Sequence, residues 1–494
     1  MNDTCCWYFE ILNDHSGHEA ALPLFRSLLL ENQNGFSKDD EDLTAASYIA
    51  ANKESPSLQD LACRFSEEDV VSIARLKNIL VDSGFTRRGV LKYFGIDFAS
   101  KYSFSCGPIY VKPAAAGAKC PDKLKFCSSP LECFIKMFLL GFAISRKELE
   151  TNLGEDTICL FEKFGMAFSS SISDEVVVPY IQLFPMEINC NDLIIATDWH
   201  PSVLMSTVAG TREEGAVMYI GPDSIALFQH MPLNFLSTKV EKFIDLCCGS
   251  GVQAIAHLSS IENANGVTSF CIDINARALN FTKFNAALNG FIKNIILLQT
   301  DLLKNADQLS SILEEASFDA ILANPPFLPV PGINSSQSAA ESIARRYGFF
   351  SDGGTDGENV LEIIIEFASR SLSPNGYLAI VSEFMNPGES LCNKIKVWWD
   401  EQAKHAATGV IFTNEFPVSR DVYSLRRSAN NDEAVVWKEH LDNMKVLIFL
   451  FSMQFPSFFS TFIFNLNIKL FCRFHLFRLD CFSSNLRELH TTFP

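Results

Sequence analysis

Phe243-Ile-Asp-Leu-Cys-Cys-Gly-Ser-Gly251 sets an apolar run, an acidic residue and a glycine-rich turn in direct succession, and helical spacing follows at once from Gln253. A strand that ends in such a turn and passes straight into a helix is the opening unit of an open α/β sheet. Gly249 and Gly251 let the backbone take positive φ and let a ligand come close. The N–H groups at the helix start favour an electron-rich partner. Asp273 closes the next apolar run, 22 residues beyond Gly251. A carboxylate there can accept hydrogen bonds from both hydroxyls of a ribose. Asp301 follows the third run, where it can address an adenine amino group. A dinucleotide such as NAD would use the same positions, so these residues leave the ligand open.

The rhythm continues outward from that loop. The pattern predicts strands at Lys242–Leu246, Ser269–Ile274, Ile295–Gln299, Asp319–Ala323 and Tyr377–Val381. Helical spacing falls between them at Gln253–Leu258, Ala276–Leu288, Leu309–Glu315 and Glu358–Leu372. Such alternation predicts a mostly parallel sheet with helices on both faces. Its domain is expected over 236–445.

The fourth strand decides the chemistry. Ile321-Leu-Ala-Asn-Pro-Pro-Phe327 ends an apolar run in an Asn, two prolines and an aromatic. Ligands of open α/β sheets bind beyond the carboxyl ends of the strands, so Asn324 and Phe327 are expected to face whatever meets the cofactor. Pro325 and Pro326 fix the turn and keep their carbonyls as acceptors. An Asn oxygen and a neighbouring proline carbonyl can hold the two hydrogens of a planar NH₂, and Phe327 can stack on its plane. This set suits methylation of a conjugated nitrogen, whose delocalised lone pair needs orientation more than a strong base. Proximity of that kind is worth on the order of 7–11 kcal/mol in favourable cases.

The chain has 494 residues, 48% hydrophobic and 20% charged, with a formal charge of −18. That supports folded domains and excludes a disordered or collagen-like chain. So acidic a protein is a poor nonspecific nucleic-acid coat. The 15 cysteines include no Cys-x-x-Cys pair, and no metal site is indicated. They are expected as reduced, mostly buried thiols. Residues 1–64 read as an irregular extension without a secretory signal, so the expected location is cytoplasmic.

Residues 65–235 read as a smaller helical-plus-β accessory domain. Val70, Ile73, Leu76 and Leu80 follow helical spacing up to Gly84, a second helix follows Pro130, and Ser145-Arg-Lys-Glu148 has the form of a capping box. Strands are expected over Val176–Phe184 and Leu193–Ala196. The tail, 446–494, holds twelve of the 43 phenylalanines and neither Gly nor Ala. It is expected to be an extension that packs poorly, with a membrane contact as the alternative for its uncharged run between Lys445 and Lys469. His200 and His257 are read as structural, and the pairs Arg345-Arg346 and Arg426-Arg427 as solvated surface.

Taken together these motifs resemble the class I S-adenosylmethionine-dependent methyltransferases, most closely the HemK/PrmC-type branch with a methyltransferase small domain. The resemblance covers roughly 195–385. It implies a Rossmann-like, mostly parallel, seven-stranded sheet and S-adenosylmethionine as cofactor, held by Asp245, Cys247, Gly249, Gly251, Asp273, Asp301 and Asn324. Asn324, Pro325, Pro326 and Phe327 correspond to the branch's Asn-Pro-Pro-Tyr/Phe tetrapeptide, which contacts the target nitrogen. Asp273-Ile-Asn-Ala-Arg-Ala-Leu, Asn285-Ala-Ala-Leu-Asn-Gly290 and Ser351-Asp-Gly-Gly-Thr-Asp-Gly357 are further phrases of the branch. Cys247 departs from it by replacing a glycine, and Phe327 by replacing the tyrosine commoner in glutamine methyltransferases. The implied acceptor is a glutamine side-chain amide of a protein such as a translation release factor. The alternatives are an exocyclic base amine in RNA and, from another class, a scaffold that binds S-adenosylmethionine without turnover.

Overall fold

The structure, a computed structural model, describes residues 44–45, 65–95, 119–169, 175–199, 216–230, 240–304, 317–332, 338–347, 350–385, 389–399, 407–412, 418–446, 448–450, 460–465 and 475–479. They fall into two compact units. One is Met1–Gly221 with Gly249–Ser260 and Asn275–Ile295; the other is Pro222–Cys248, Ile261–Ile274 and Ile296–Pro494. Two helices predicted as part of the α/β domain thus belong to the N-terminal unit.

In the first unit the helix Val70–Asp82 buries Ile73, Leu76 and Leu80, one stripe at helical spacing, and ends before Gly84 at φ 82°. Arg87–Tyr93 starts on Thr86, whose hydroxyl accepts from the Gly89 N–H at 3.0 Å. Pro130–Phe134 starts on Ser129 with proline in its first turn, then runs into a π-helical turn, Ile135–Leu139. Phe134, Phe138 and Phe161 meet largely edge to face in the core below. Ser145 caps Arg146–Leu153 by accepting from the Glu148 N–H at 3.2 Å. The predicted box closes only on that side, because the Glu148 carboxylate accepts from the Cys127 N–H instead.

Five strands complete this unit: β1 (Ile144–Ser145), β2 (Ala167–Ser169), β3 (Val176–Pro179), β4 (Gln182–Ile188) and β5 (Asn191–Thr197). The first three form one sheet, in the order β1-β3-β2, and β4-β5 is an antiparallel hairpin. Asn189 and Cys190, at φ 49° and 64°, make its two-residue turn, as a hairpin of that length requires.

Helix Ala276–Leu288, capped by Asn275, explains two of the sequence phrases. Asn285 and Asn289, one turn apart, bond to the backbone of β5 as a neighbouring strand would. Asn285 Oδ1 accepts from Ala196 N at 2.7 Å while its Nδ2 donates to Ala196 O at 2.8 Å. Asn289 does the same to Ile194, at 3.1 and 2.8 Å. From the helix's first turn Arg277 donates through Nε to Asp198 Oδ2 at 2.8 Å and through Nη2 to Oδ1, a fork on a carboxylate that is 1% exposed. Phe281 and Phe284 of the same helix lie in the core with Phe138 and Phe161.

The second unit is built on one large sheet. Its strands are β6 (Lys242–Leu246), β7 (Thr268–Asp273), β8 (Ile295–Gln299), β9 (Phe318–Ala323), β10 (Leu372–Ser382), β12 (Ala407–Phe412), β15 (Ser460–Asn465) and β16 (His475–Leu479), with β11 (Phe384–Met385), β13 (Val418–Ser419) and β14 (Ile448–Leu450) in a small one beside it. The order is β16-β12-β15-β10-β9-β6-β7-β8, with β10, β9, β6, β7 and β8 as the parallel body. All five predicted strands are these. The sheet has eight strands where seven were expected: β15 and β16 come from the Phe-rich tail, and β15 runs antiparallel between β10 and β12. Short pieces of the tail therefore pair with the sheet. Among the described residues no helix is long and apolar enough to cross a membrane. The predicted helix Leu309–Glu315, His200, most of 1–64 and the rest of the tail lie outside the described residues.

Ile244 and Leu246 of β6 and Ile321 and Ala323 of β9 are buried, with Leu361, Ile364, Ile365 and Ala368 of helix Asn359–Ser371 packed in the same core. Central parallel strands covered on both faces read as unbroken apolar runs, which is why this part was legible.

Replacing Asn285 by Ala leaves the Ala196 N–H and C=O without their partner in a buried setting. We expect a loss of about 2–4 kcal/mol, measured as a lowered denaturant midpoint at unchanged slope.

Candidate active site

Strand register fixes the geometry of the second unit. Leu246 pairs with Ile272 on one side and with Ala323 on the other. One residue further on, Cys247 therefore leaves the sheet between Asp273 and Asn324. The Asp273 carbonyl accepts from Thr300 N at 3.0 Å, which brings Asp301 to the same edge. Asp245, Cys247, Asp273, Asp301 and Asn324 are thus set out along the carboxyl ends of adjacent strands, where α/β sheets bind ligands.

Each has its own electrostatic setting. Asp245 is fully buried, Asp273 and Asp301 only partly. A hydrogen bond from Lys304, 2.9 Å from Oδ2, holds the Asp301 carboxyl below its usual range, so it is ionised at neutral pH. Burial, reinforced by Asp273 and Asp245, pushes the Cys247 thiol well up. Cys247 is then a neutral thiol and not a nucleophile. It holds φ 58°, the left-handed conformation that suits the glycine it replaces.

Asn324 donates through Nδ2 to Asp223 Oδ2 at 2.8 Å and to Ser224 Oγ at 3.3 Å. Both partners stand in the first turn of helix Pro222–His230. Sequence reading missed them, although Gly-Pro-Asp-Ser before an apolar run is a helix-start signal. Pro325 is buried and Pro326 half-buried. The Phe327 ring, expected to stack on an acceptor, is 7% exposed and packs with Leu328, Val330, Ile343, Tyr423 and Trp437.

The segment 351–357 braces this loop. Leu328 N donates to Ser351 O at 2.8 Å and Gly353 N to Leu328 O at 2.9 Å. A Cβ on Gly353 would lie 2.8 Å from Pro326 O and from Phe327 Cα, so only glycine allows the approach. That is the physical content of the Gly-Gly-x-Asp-Gly phrase.

A second buried group lies in the same unit. Glu383 accepts from the Tyr423 hydroxyl at 2.8 Å and from Arg427, whose guanidinium sits 5.3 Å from the Tyr423 ring centre. Arg427 is therefore an ion-pair partner rather than the solvated cation predicted; the side chains of Arg345 and Arg346 lie outside the described residues. Burial pushes the Glu383 carboxyl up, opposed by Arg427 and the Tyr423 hydrogen bond.

The first unit holds the rest of the glycine loop. Thr282 donates to Gly249 O at 3.0 Å, and a Cβ on Gly251, at φ 74°, would meet Thr282 Cγ2 at 2.7 Å. His257 is buried and its pKa is pushed down to about 4 by that burial, so it is neutral and structural as predicted. Among the described residues no three His, Cys, Asp or Glu side chains stand close enough to hold a metal ion.

Residues 220–345 match the family described as methyltransferase small domain. That match covers about a quarter of the chain. Similar proteins include a putative protein N5-glutamine methyltransferase of Methanocaldococcus jannaschii, 29% identical over 174 residues, 35% of this chain and 76% of that one. A ribosomal protein uL3 glutamine methyltransferase of Bradyrhizobium diazoefficiens is 30% identical, over 28% of this chain and 40% of the other. A release factor glutamine methyltransferase of Moorella thermoacetica is 31% identical, over 27% and 43%. The chain thus spans most of the archaeal relative and less than half of these two bacterial ones. A solved putative SAM-dependent methyltransferase from Streptococcus mutans is similar at 12% identity and TM-score 0.32, over 82% of this chain and 83% of that one. The family's cofactor is S-adenosylmethionine, and the donor set fits it: carboxylates at adjacent strand ends offer the acceptors that ribose hydroxyls and an adenine amino group require.

Cys247→Gly removes a left-handed side chain that costs about 1–2 kcal/mol, less about 0.5–1 kcal/mol for the freer unfolded chain. The thermal midpoint should rise by roughly 2 °C, whereas Cys247→Ala, which keeps the Cβ, should give no such rise.

Proposed function

We propose that this small-domain methyltransferase transfers a methyl group to a planar NH₂, and that the acceptor is a glutamine side-chain amide of a protein partner. The observation that carries the reading is Asn324. Its NH₂ end is engaged by Asp223 and Ser224 at the end of a central strand, so its oxygen is the end left to meet a ligand. Asn324 Oδ1 and the Pro325 carbonyl each take one hydrogen of the acceptor NH₂. That holds the amide plane and turns the face of the nitrogen toward the cofactor side of the sheet.

Asp273 and Asp301 hold the nucleoside of S-adenosylmethionine, which when bound supplies an electrophilic methyl on sulfur. An amide nitrogen is a poor nucleophile. As it gains positive character, the two carbonyl oxygens become stronger partners for its hydrogens, which favours the transition state over the ground state. No strong base is needed, since the nitrogen becomes acidic as it is alkylated.

Two observations favour a protein acceptor over RNA. The three relatives described above are named glutamine methyltransferases, two of them with a ribosomal protein and a release factor as their named targets. The buried carboxyl groups of this unit include Asp223, Glu358, Glu383 and Glu433, and the chain carries a formal charge of −18, a setting that does not draw in a phosphate backbone.

Methyl-labelled S-adenosylmethionine is incubated with the full chain and cell extract, then with protease or ribonuclease. Label should be lost with protease only; loss with ribonuclease only would rule out the glutamine reading. Asn324→Ala should abolish transfer and leave cofactor affinity within a few-fold. Asp273→Ala should weaken cofactor binding by about tenfold or more, the value of a hydrogen bond to a charged group, as read by calorimetry.

A further inference from the structure

We infer that Asp223 is a positioning residue, fixing the flip of the Asn324 amide so that oxygen rather than NH₂ is offered to the acceptor. The inference rests on the role given to Asn324 above. An asparagine side chain is nearly symmetric in shape, and a half-turn exchanges its oxygen for its NH₂, so packing alone does not choose between them. The choice matters here, because the wrong flip sets a donor against the donors of the acceptor.

An ionised carboxylate only accepts hydrogen bonds. Placed 2.8 Å from one end of the Asn324 amide, Asp223 can be satisfied only by the NH₂ end. Ser224 Oγ, 3.3 Å from the same nitrogen, accepts alongside it. The oxygen is thereby turned the other way.

The arrangement is costly for the fold. Asp223 is 1% exposed, and among the described residues its second oxygen, Oδ1, has no side-chain hydrogen-bond partner. A neutral side chain would spare the desolvation. The one side-chain hydrogen bond this carboxylate takes is the one that sets the Asn324 flip, which fits a positioning role. The charges that reach it are Arg427, which favours its ionised form, and Glu383, which Arg427 already holds. Burial outweighs the hydrogen bonds from Asn324 and from the backbone at Asp223 and Ser224, together with the pull of Arg427, and raises the Asp223 carboxyl above its usual value. A carboxyl that binds its proton more tightly folded than unfolded favours the fold at low pH. That contribution is lost as pH rises through the folded value. Removing the charge should therefore not lower stability at neutral pH.

The full chain is compared with Asp223→Asn and Asp223→Ala for kcat, KM, cofactor affinity, thermal midpoint and pH profile on a glutamine-containing peptide. In the wild type kcat should climb with pH as Asp223 ionises. Asp223→Asn offers either end of an amide to Asn324, so kcat should fall about tenfold, without that climb and with no loss in midpoint. Asp223→Ala should cost about 100-fold in kcat, with cofactor affinity within about threefold. A kcat within twofold of wild type in Asp223→Asn, with the acid limb intact, overturns the inference, as do activity losses that merely track the midpoint.

A second readout needs no turnover. Side-chain amide exchange of Asn324, followed by NMR in asparagine-labelled protein, should be slow in the wild type and fast in Asp223→Ala; equal rates overturn the inference. Slow exchange in a wild type that methylates no glutamine peptide would overturn the acceptor reading and leave the Asp223 contact standing.

Discussion

Parallel pairing in register is the constraint on which the site depends. Because β6 pairs with β7 through Leu246 and Ile272, and with β9 through Leu246 and Ala323, three chain segments leave the sheet at one level. What each carries at the next position is then a neighbour of the others, whatever the loops beyond do. Cys247, Asp273 and Asn324 occupy those positions. A slip of two residues in either pairing would preserve the buried apolar faces and still move one of them by about 6–7 Å. The bulk of buried Ile, Leu and Ala in β6 and β9 sets the fold, but the backbone ladder sets the chemistry.

On that edge the polar groups are handled in two ways. Asp273 and Asp301 are part-exposed, and Asp301 is held ionised by Lys304 at the surface. Asp223 and Glu383 are buried, and burial raises both. Glu383 offsets the penalty with Arg427 and Tyr423, so it reads as a brace for the helix Arg420–Arg427. Asp223 has one side-chain partner to Glu383's two. Carboxylates of similar burial thus differ in how far their cost is offset.

Much of this was legible in the chain. The central strands are unbroken apolar runs ending in Asp, Gly or Asn-Pro-Pro, and buried parallel strands are the elements whose local pattern and tertiary setting agree most fully. The helix Ala276–Leu288 was placed to the residue. Three things were not legible. Asp223 sits about 100 residues from Asn324, and no periodicity relates them. The Glu383–Arg427 pair spans 44 residues in the same way, so a dibasic pair looked like surface. The tail strands have no local helical or alternating signature that separates them from an unpaired apolar run. The surroundings of Phe327 were hidden for a related reason: Tyr423 and Trp437, which share its buried cluster, arrive from about 100 positions later.

The two kinds of asparagine in the molecule show how a structural amide differs from one poised for a ligand. Asn285 and Asn289 face a strand that supplies both an N–H and a C=O, so each amide is satisfied at both ends and its flip is fixed by the backbone. Nothing is left over for a ligand. Asn324 meets only acceptors, Asp223 and Ser224, both at its NH₂ end. Its flip is fixed just as firmly, yet among the described residues its oxygen takes no hydrogen bond. A side chain oriented by the protein and left half-satisfied has lost its rotational freedom before any ligand arrives. Binding then avoids that entropy loss, which is the sense in which this edge of the sheet is preorganised.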